Sequence, residues 1–379
     1  MLAKTPPMGW NSWNTFGPNI NETVVMEMTD LMVEKGYRDA GYEYVVIDDC
    51  WALRERNEKG ELVPDPEKFP HGMKYLADYI HSKGMKFGMY SAAGVRTCAG
   101  YPGSYGHEYE DAAMFASWGV DYLKYDKCHF AGSADARNAY VTMSMALRAT
   151  GRDIVFSGCT VGENNPHDWM RSAGAHLYRS TVDIFDSPES FRNNFTQQYD
   201  KFSQSGPGCF NDIDMLIVGM RGTGNVARIG GCSDEAYKMH FALWCFWGAP
   251  LMLGADLRKL DDFCHELLTN KELIRLNQDP ECRPPYIDER QRYHNLNKRL
   301  AAIKMLDNNE FALGLFNYSD DAELEVLAYF DDLGIPSGKG IGLELTDIFT
   351  GETITKFDFY TPKLPAMTCK IYRAKIVKR

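Results

Sequence analysis

Several kinds of sequence signal are missing from this 379-residue chain. No run of 18 apolar residues occurs, so no membrane-spanning helix is expected. No Lys/Arg cluster with interleaved aromatics occurs, and the net charge of −11 disfavours a polyanionic partner, which argues against nucleic-acid binding. Ten cysteines are scattered without a CxxC pair, so zinc-site spacing is absent. In a chain of this size they read as reduced intracellular thiols rather than a disulfide scaffold. No glycine-rich GxGxxG turn follows the first strand, which weakens a dinucleotide-binding fold. No His-x-His pair follows that strand either, which disfavours a metal-dependent barrel hydrolase. The start, Met1 to Pro7, lacks the apolar core of a secretory signal. A cytoplasmic, bacterial-type placement is therefore expected, or a secreted one if a leader has been removed.

What remains is a hydrophobic fraction of 44 %, enough for a large core, and a rich aromatic supply of 13 %. Strand-like and helix-like segments alternate through the first three quarters. Asn21 is placed to cap a helix with apolar positions Val24, Val25, Met28, Leu31 and Met32, and Gly36 stops it. The buried-strand run Tyr44 to Ile47 follows. Leu76, Tyr79 and Ile80 mark a second helix, then come strands at Lys86–Tyr90 and Val120–Tyr125. Further strands are expected at Ile154–Phe156, His176–Arg179, Met215–Val218 and Pro250–Leu253, with a helix at Asp234–Trp247. About eight strands in such a βα rhythm predict a closed (β/α)8 TIM barrel over 1–285. After Pro284-Pro285 short strands separated by turn signals predict a C-terminal antiparallel β-sandwich over 286–379.

In a barrel of this kind, reactive side chains project from the C-terminal strand ends. Asp48 and Asp49 end one strand, Tyr90 another, and Lys124 and Asp126 a third. Arg179 and Asp183 close the sixth, and Trp13 follows the first. Paired carboxylates at one mouth suit glycosyl transfer, in which one attacks the anomeric carbon and the other protonates the leaving oxygen. Each residue also has a plainer reading. A strand-end Asp often caps the next helix, Lys124 can snorkel to solvent, and Trp13 can be core packing.

Taken together the segments resemble glycoside hydrolase family 27, the α-galactosidase and α-N-acetylgalactosaminidase family. The likeness runs through Pro7-Met8-Gly9-Trp10-Asn11-Ser12-Trp13, Tyr44 to Trp51, Phe69-Pro70-His71-Gly72-Met73 and His81 to Tyr90. It continues through Thr97 to Ser104, Trp118 to Asp126, Gly206-Pro207-Gly208, Asn211 to Leu216, Ala249 to Met252 and Asn277-Gln278-Asp279-Pro280. The resemblance implies a retaining hydrolase of terminal α-linked galactose, needing neither metal nor organic cofactor. It implies Asp126 as nucleophile and Asp183 as acid/base. It also implies Asp48 and Asp49 as ligands of the sugar's 4- and 6-hydroxyls, Lys124 and Arg179 as further hydroxyl ligands, and Trp13 and Tyr90 as pocket walls. The implied partner is a galactoside oligosaccharide or glycoconjugate, with no nucleic acid and no membrane. Nothing in the sequence specifies the interface of a homo-oligomer.

One segment departs from the family pattern. After the fifth strand, α-galactosidases show Cys-Glu-Trp and the N-acetylgalactosamine enzymes a small Ser, at a place facing the sugar's 2-position. This chain reads Cys159-Thr160-Val161-Gly162-Glu163, so Cys159 and Thr160 are the candidate residues there and the 2-position preference stays open. Glu163 is read as a solvated loop residue, with a stand-in for the missing carboxylate as the alternative. An α-N-acetylgalactosaminidase is the alternative activity, and a sugar-binding barrel without catalysis the remote one. A pentose substrate fits less well, because the Asp48-Asp49 pair suits a 6-hydroxymethyl sugar. The resemblance also implies a Cys98–Cys128 disulfide, and leaves Cys50 and Cys159 as free buried thiols.

Overall fold

The structure is a computed structural model that describes residues 1–131, 135–287, 298–336 and 340–379. Eight short parallel strands form its first sheet. They are β1 (Met8–Asn11), β2 (Tyr44–Val46), β3 (Lys86–Ala92), β4 (Tyr122–Asp126), β5 (Val155–Cys159), β6 (Leu177–Arg179), β7 (Phe210–Asp212) and β8 (Leu251–Leu253). Neighbours pair in chain order from β1 to β7, and β8 pairs with β1. Leu216 closes the ring. It bridges Leu253 in parallel, its amide donating to Met252 O at 2.8 Å and its carbonyl accepting from Gly254 N at 3.0 Å. The sheet is thus the expected (β/α)8 barrel.

The helix expected from Asn21 onward spans Glu22–Glu34, and Asn21 Oδ1 accepts from Val24 N at 3.0 Å, satisfying one of the orphan amides of the first turn. The seventh strand lies elsewhere than the apolar run Met215–Val218 suggested. Its residues are Phe210-Asn211-Asp212, where polar side chains hide the hydrophobic signal, and of the later run only Leu216 makes a bridge.

Side-chain alternation along the strands sorts the barrel interior. Tyr44, Val46, Tyr122, Val155, Leu177, Met215 and Met252 fill one apolar layer inside the barrel. Gly88 sits between two of these chains, where a Cβ would meet Val46 Cγ2 at 2.7 Å. Two residues further on, the same inward parity yields Asp48, Tyr90, Lys124 and Arg179. The odd-numbered neighbours Leu123 and Tyr125 point outward into the main core beneath the helices.

The C-terminal domain is a six-stranded antiparallel sheet in the order Thr353–Phe357, Ile341–Asp347, Thr368–Lys378, Phe311–Asn317, Arg299–Met305, Tyr286–Ile287. Two two-stranded ribbons, Leu324–Glu325 with Lys363–Leu364 and Ala328–Tyr329 with Phe359–Tyr360, supply the opposite layer. Both faces of the sheet are apolar. Ala301, Ile303, Leu313 and Leu315 face Val326, Phe330 and Leu364 in the sandwich core. Leu300, Ala302, Ala312 and Phe316 belong instead to the barrel's core cluster. Phe316 packs edge-on against Phe246 and Trp247, at 5.5 and 5.6 Å between ring centroids. The helix carrying those two residues, Asp234–Trp247, is therefore buried between barrel and sandwich and apolar nearly all round.

Candidate active site

At the C-terminal mouth of the barrel, one pocket is lined by Trp13, Asn14, Asp48, Asp49, Tyr90, Cys98, Lys124, Asp126, Arg179, Asp183, Ile184, Asp214, Met215 and Val226. The space between these side chains, counted together with the solvent at its open end, is about 500 Å³. Eight of the ten residues singled out from sequence line it. Cys159 and Thr160 do not. Both are buried, and Thr160 Oγ1 donates to the Glu163 carbonyl at 2.9 Å. Glu163 turns outward, and Lys127 Nζ donates to its Oε2 at 2.6 Å.

The β2 end anchors one flank. Asp48 Oδ2 accepts from Lys124 Nζ and from Asn11 Nδ2, each at 2.8 Å, while its Oδ1 accepts from Asp49 N at 3.0 Å. Asp49 accepts from Cys50 N at 2.7 Å and from Ala99 N at 2.9 Å. Burial pushes the Asp49 carboxyl up, and these bonds oppose the rise. Lys124 is half-buried, and the loss of solvent works against its charge. Asp48 and then Asp126 overcome that and hold it protonated well above the usual lysine range. Its Nζ lies 5.4 Å from the centre of the Tyr90 ring.

Asp126 ends β4. Its Oδ1 accepts from Lys127 N at 3.0 Å and its Oδ2 from Tyr90 OH at 3.2 Å. Burial, with the Asp126 charge next, raises the Tyr90 phenol far above its ordinary range, so it remains a donor. Asp183 stands opposite in character, with 65 % of its side chain exposed. Arg179 is buried, and its Nη2 reaches both Asp183 Oδ1 and Asp214 Oδ2 at 2.8 Å. Partial burial raises the Asp183 carboxyl, but Arg179 and Lys124 outweigh it and hold the group below its usual value. Asp214 is pushed up to about 6, first by burial, which outweighs Arg179, with Asp183 and Asp212 adding repulsion.

Sequence reasoning assigned no role to Asp214, Asn11, Asn14, Met215 or Val226. Asp214 sits two residues past β7 with φ +83°. Its carboxylate also accepts from Ile184 N at 2.7 Å and Met215 N at 2.8 Å, and its carbonyl from the Trp244 indole at 2.7 Å. A non-glycine residue held in the left-handed region by so many bonds is a recurrent feature of functional sites. The signal present in the sequence was the density of carboxylates in Asn211-Asp212-Ile213-Asp214.

Two thiols expected to be free, Cys50 and Cys159, are free and buried. Cys98 and Cys128 form a disulfide across the mouth. Among the described residues no helix is long and apolar enough to cross a membrane.

Comparison with known proteins agrees with this geometry. A family model described as alpha galactosidase A matches residues 5–279. The α-galactosidase of Cyamopsis tetragonoloba is 40 % identical over 374 residues, covering 97 % of this chain and 87 % of that protein. The crystal structure of α-galactosidase I from Mortierella vinacea superposes with a TM-score of 0.90 at 31 % identity, covering 98 % of this chain and 97 % of that one. The Saccharomyces cerevisiae α-galactosidase, whose structure was determined with raffinose, gives a TM-score of 0.86 at 26 % identity, covering 99 % and 98 %. With a barrel of this topology and a carboxylate-lined mouth, the chain belongs to glycoside hydrolase family 27, the α-galactosidase family, and is a glycoside hydrolase of that type.

Proposed function

We propose that the pocket releases terminal α-linked galactose by double displacement, with Asp126 as nucleophile and Asp183 as acid/base. The observation that carries this reading is the contrast between two carboxylates on one pocket. Asp126 is buried and fixed by a backbone amide and the Tyr90 phenol. Asp183 is open to solvent and tied to Arg179. An aglycone entering over Asp183 removes water and competes for Arg179. Both effects favour the protonated form that an acid needs.

In the first step an Asp126 oxygen bonds to the anomeric carbon, the glycosidic bond breaks, and the Asp183 proton passes to the departing oxygen. In the second, Asp183 takes a proton from water as the water oxygen attacks the anomeric carbon, and the ester to Asp126 breaks. Two inversions return the α-configuration. Asp48 and Asp49 keep unused lone pairs after their internal bonds, since a carboxylate offers about four acceptor sites. They can accept from the 4- and 6-hydroxyls of galactose, while Lys124 and Arg179 donate.

A second reading has its own support. Among the described residues, none from Thr160 to Asn165 lines the pocket, so the loop residues that the resemblance sets against the 2-position raise no barrier to an acetamido group there. Hydrolysis of nitrophenyl α-galactoside and nitrophenyl α-N-acetylgalactosaminide by wild type and Asp126→Ala separates the readings. Turnover of the first substrate alone, lost in the variant, supports the galactosidase. Turnover of the second favours the alternative, and turnover of neither contradicts both.

A further inference from the structure

The rim of the pocket carries a chemistry that glycoside hydrolysis does not use. Cys98 and Cys128 lie 30 residues apart in sequence with their Cα atoms 4.9 Å apart. Cys98 is exposed, Cys128 half-buried and Asp126 buried. Cys98 Sγ stands 3.8 Å from Asp126 Oδ2, and Cys128 Sγ stands 4.0 Å from Tyr90 OH. One ligand atom from each of Cys98, Cys128 and Asp126 lies within 4.8 Å of the other two. Among the described residues no other group of three His, Cys, Asp or Glu side chains is brought together this way.

The two loops are held together by more than the disulfide. Gly94 packs against the backbone of the opposite loop, where a Cβ would meet Cys128 O at 2.0 Å. Ala93 N donates to Asp126 O at 2.7 Å, and Ala99 N is tied to Asp49 at 2.9 Å. Breaking the sulfur–sulfur bond therefore leaves two thiols side by side against a carboxylate, one of them open to solvent.

We propose that the reduced pair and Asp126 form a binding site for a thiophilic divalent cation such as zinc, and that its occupancy stops hydrolysis. Reduction needs a reductant, supplied by a dithiol. The disulfide bond breaks, each cysteine sulfur gains a proton from the dithiol, and the dithiol closes to its own disulfide. The cation then releases both thiol protons to solvent, bonds to two thiolates and one Asp126 oxygen, and keeps water as a fourth ligand. Tetrahedral zinc with Zn–S of about 2.3 Å and Zn–O of about 2.0 Å sets sulfur and oxygen about 3.5 Å apart and the sulfurs about 3.8 Å apart. The Cys98–Asp126 separation is already near that value; the freed sulfurs move apart, and the Cys128 sulfur, within 4.8 Å of the Asp126 ligand atom, swings toward it. Thiolates select zinc or cadmium over magnesium or calcium. A cation on Asp126 engages the oxygen that attacks the anomeric carbon, so the inhibitory half of the proposal rests on Asp126 being the nucleophile.

The test uses the full chain, reduced anaerobically with a trialkylphosphine, which takes oxygen from water while the two sulfurs take its hydrogens. The phosphine is removed, zinc chloride is added, and zinc per chain is measured by elemental analysis after gel filtration. Hydrolysis of nitrophenyl α-galactoside is followed in parallel. The expected result is one more zinc per chain in reduced than in oxidised protein, with activity falling at least roughly ten-fold and returning on chelation; magnesium chloride does neither. Reduced Cys98→Ser and Cys128→Ser, each alone, retain no extra zinc, and Asp126→Asn retains it more weakly. The proposal is overturned if reduction adds no zinc, if both serine variants keep the extra zinc, or if zinc binds without inhibiting. Because zinc content is read without substrate, a protein that binds zinc on reduction but never hydrolyses the galactoside contradicts the galactosidase reading and leaves the metal site standing.

Discussion

Replacing Asp214 with asparagine removes one of two carboxylates that share a single guanidinium nitrogen. Asp183 and Asp214 each lie 2.8 Å from Arg179 Nη2, so their bonded oxygens are no more than 5.6 Å apart, twice that distance. Two unit charges at that separation repel by about 3 kcal/mol at an effective dielectric of about 20, and by about 0.7 kcal/mol in water. These energies correspond to about 2 and about 0.5 pH units. Asp183 is 65 % exposed, so solvent screening favours the smaller figure. The repulsion disfavours ionised Asp183, and removing it makes the carboxyl easier to ionise. The reaction needs Asp183 protonated, and the bound aglycone raises its carboxyl, so the effect is read in the substrate complex: the alkaline limb of kcat in Asp214→Asn moves to lower pH, by up to about 2 units. The full shift requires that limb to lie above about 6, where wild-type Asp214 is charged. The assay is kcat for nitrophenyl α-galactoside from pH 3 to 9, with thermal unfolding as a control. That control is needed because the asparagine amide group cannot accept from both Ile184 N and Met215 N, at a cost of about 1–3 kcal/mol. An alkaline limb that stays in place, or moves to higher pH, refutes the reasoning.

Three other outcomes follow from the same structure. Lys304 is buried between the barrel and the sandwich and donates to Arg283 O at 3.1 Å, and burial pushes its amine down from 10.5 to about 8. The unfolded chain keeps that proton up to about 10.5 while the native state sheds it near 8, so stability rises with pH across this window, by about 3 kcal/mol in total. Denaturant unfolding of Lys304→Met at pH 8 and 10 is expected to lack that rise, and an equal rise in both proteins counts against it. Asp48→Asn strips Lys124 of its nearest counter-charge and is expected to cost about 3–5 kcal/mol of stability, the usual penalty for half of a buried pair; a melting temperature unchanged from wild type contradicts this. Gly94→Ala drives a methyl group into Cys128 O and is expected to lower the melting temperature as well as kcat/KM, whereas unaltered values show the two loops to be loosely packed.

The barrel was legible because its strands alternate with helices, and because inward parity places Tyr122, Lys124 and Asp126 on one line up a strand. The β7 strand was misplaced because Asn211 and Asp212 carry no hydrophobic signal and Met215–Val218 carries a strong one. Asp214 went unassigned for a related reason. Its position depends on a left-handed backbone turn and on Arg179 arriving from the neighbouring strand, and neither is written in local periodicity. Thr160 was placed at the pocket by the resemblance, whereas the turn from Val161 to Asn165, with φ near +50° to +80° at four positions, draws its hydroxyl back to Glu163. Nothing in the local run Leu300-Ala301-Ala302-Ile303-Lys304 marks Lys304 as buried. Only the packing of sheet against barrel buries it.

The account rests most heavily on Asp126 as the group that bonds to galactose. A 2-deoxy-2-fluoro-α-galactosyl fluoride slows both displacements, since each passes through an oxocarbenium-like transition state, and its good fluoride leaving group restores the first, so that the covalent intermediate accumulates. After incubation with the wild type, peptide mapping by mass spectrometry is expected to find the fluorosugar on Asp126, with none in Asp126→Ala. A label on another carboxylate, or no label while the unsubstituted galactoside is hydrolysed, contradicts the mechanism.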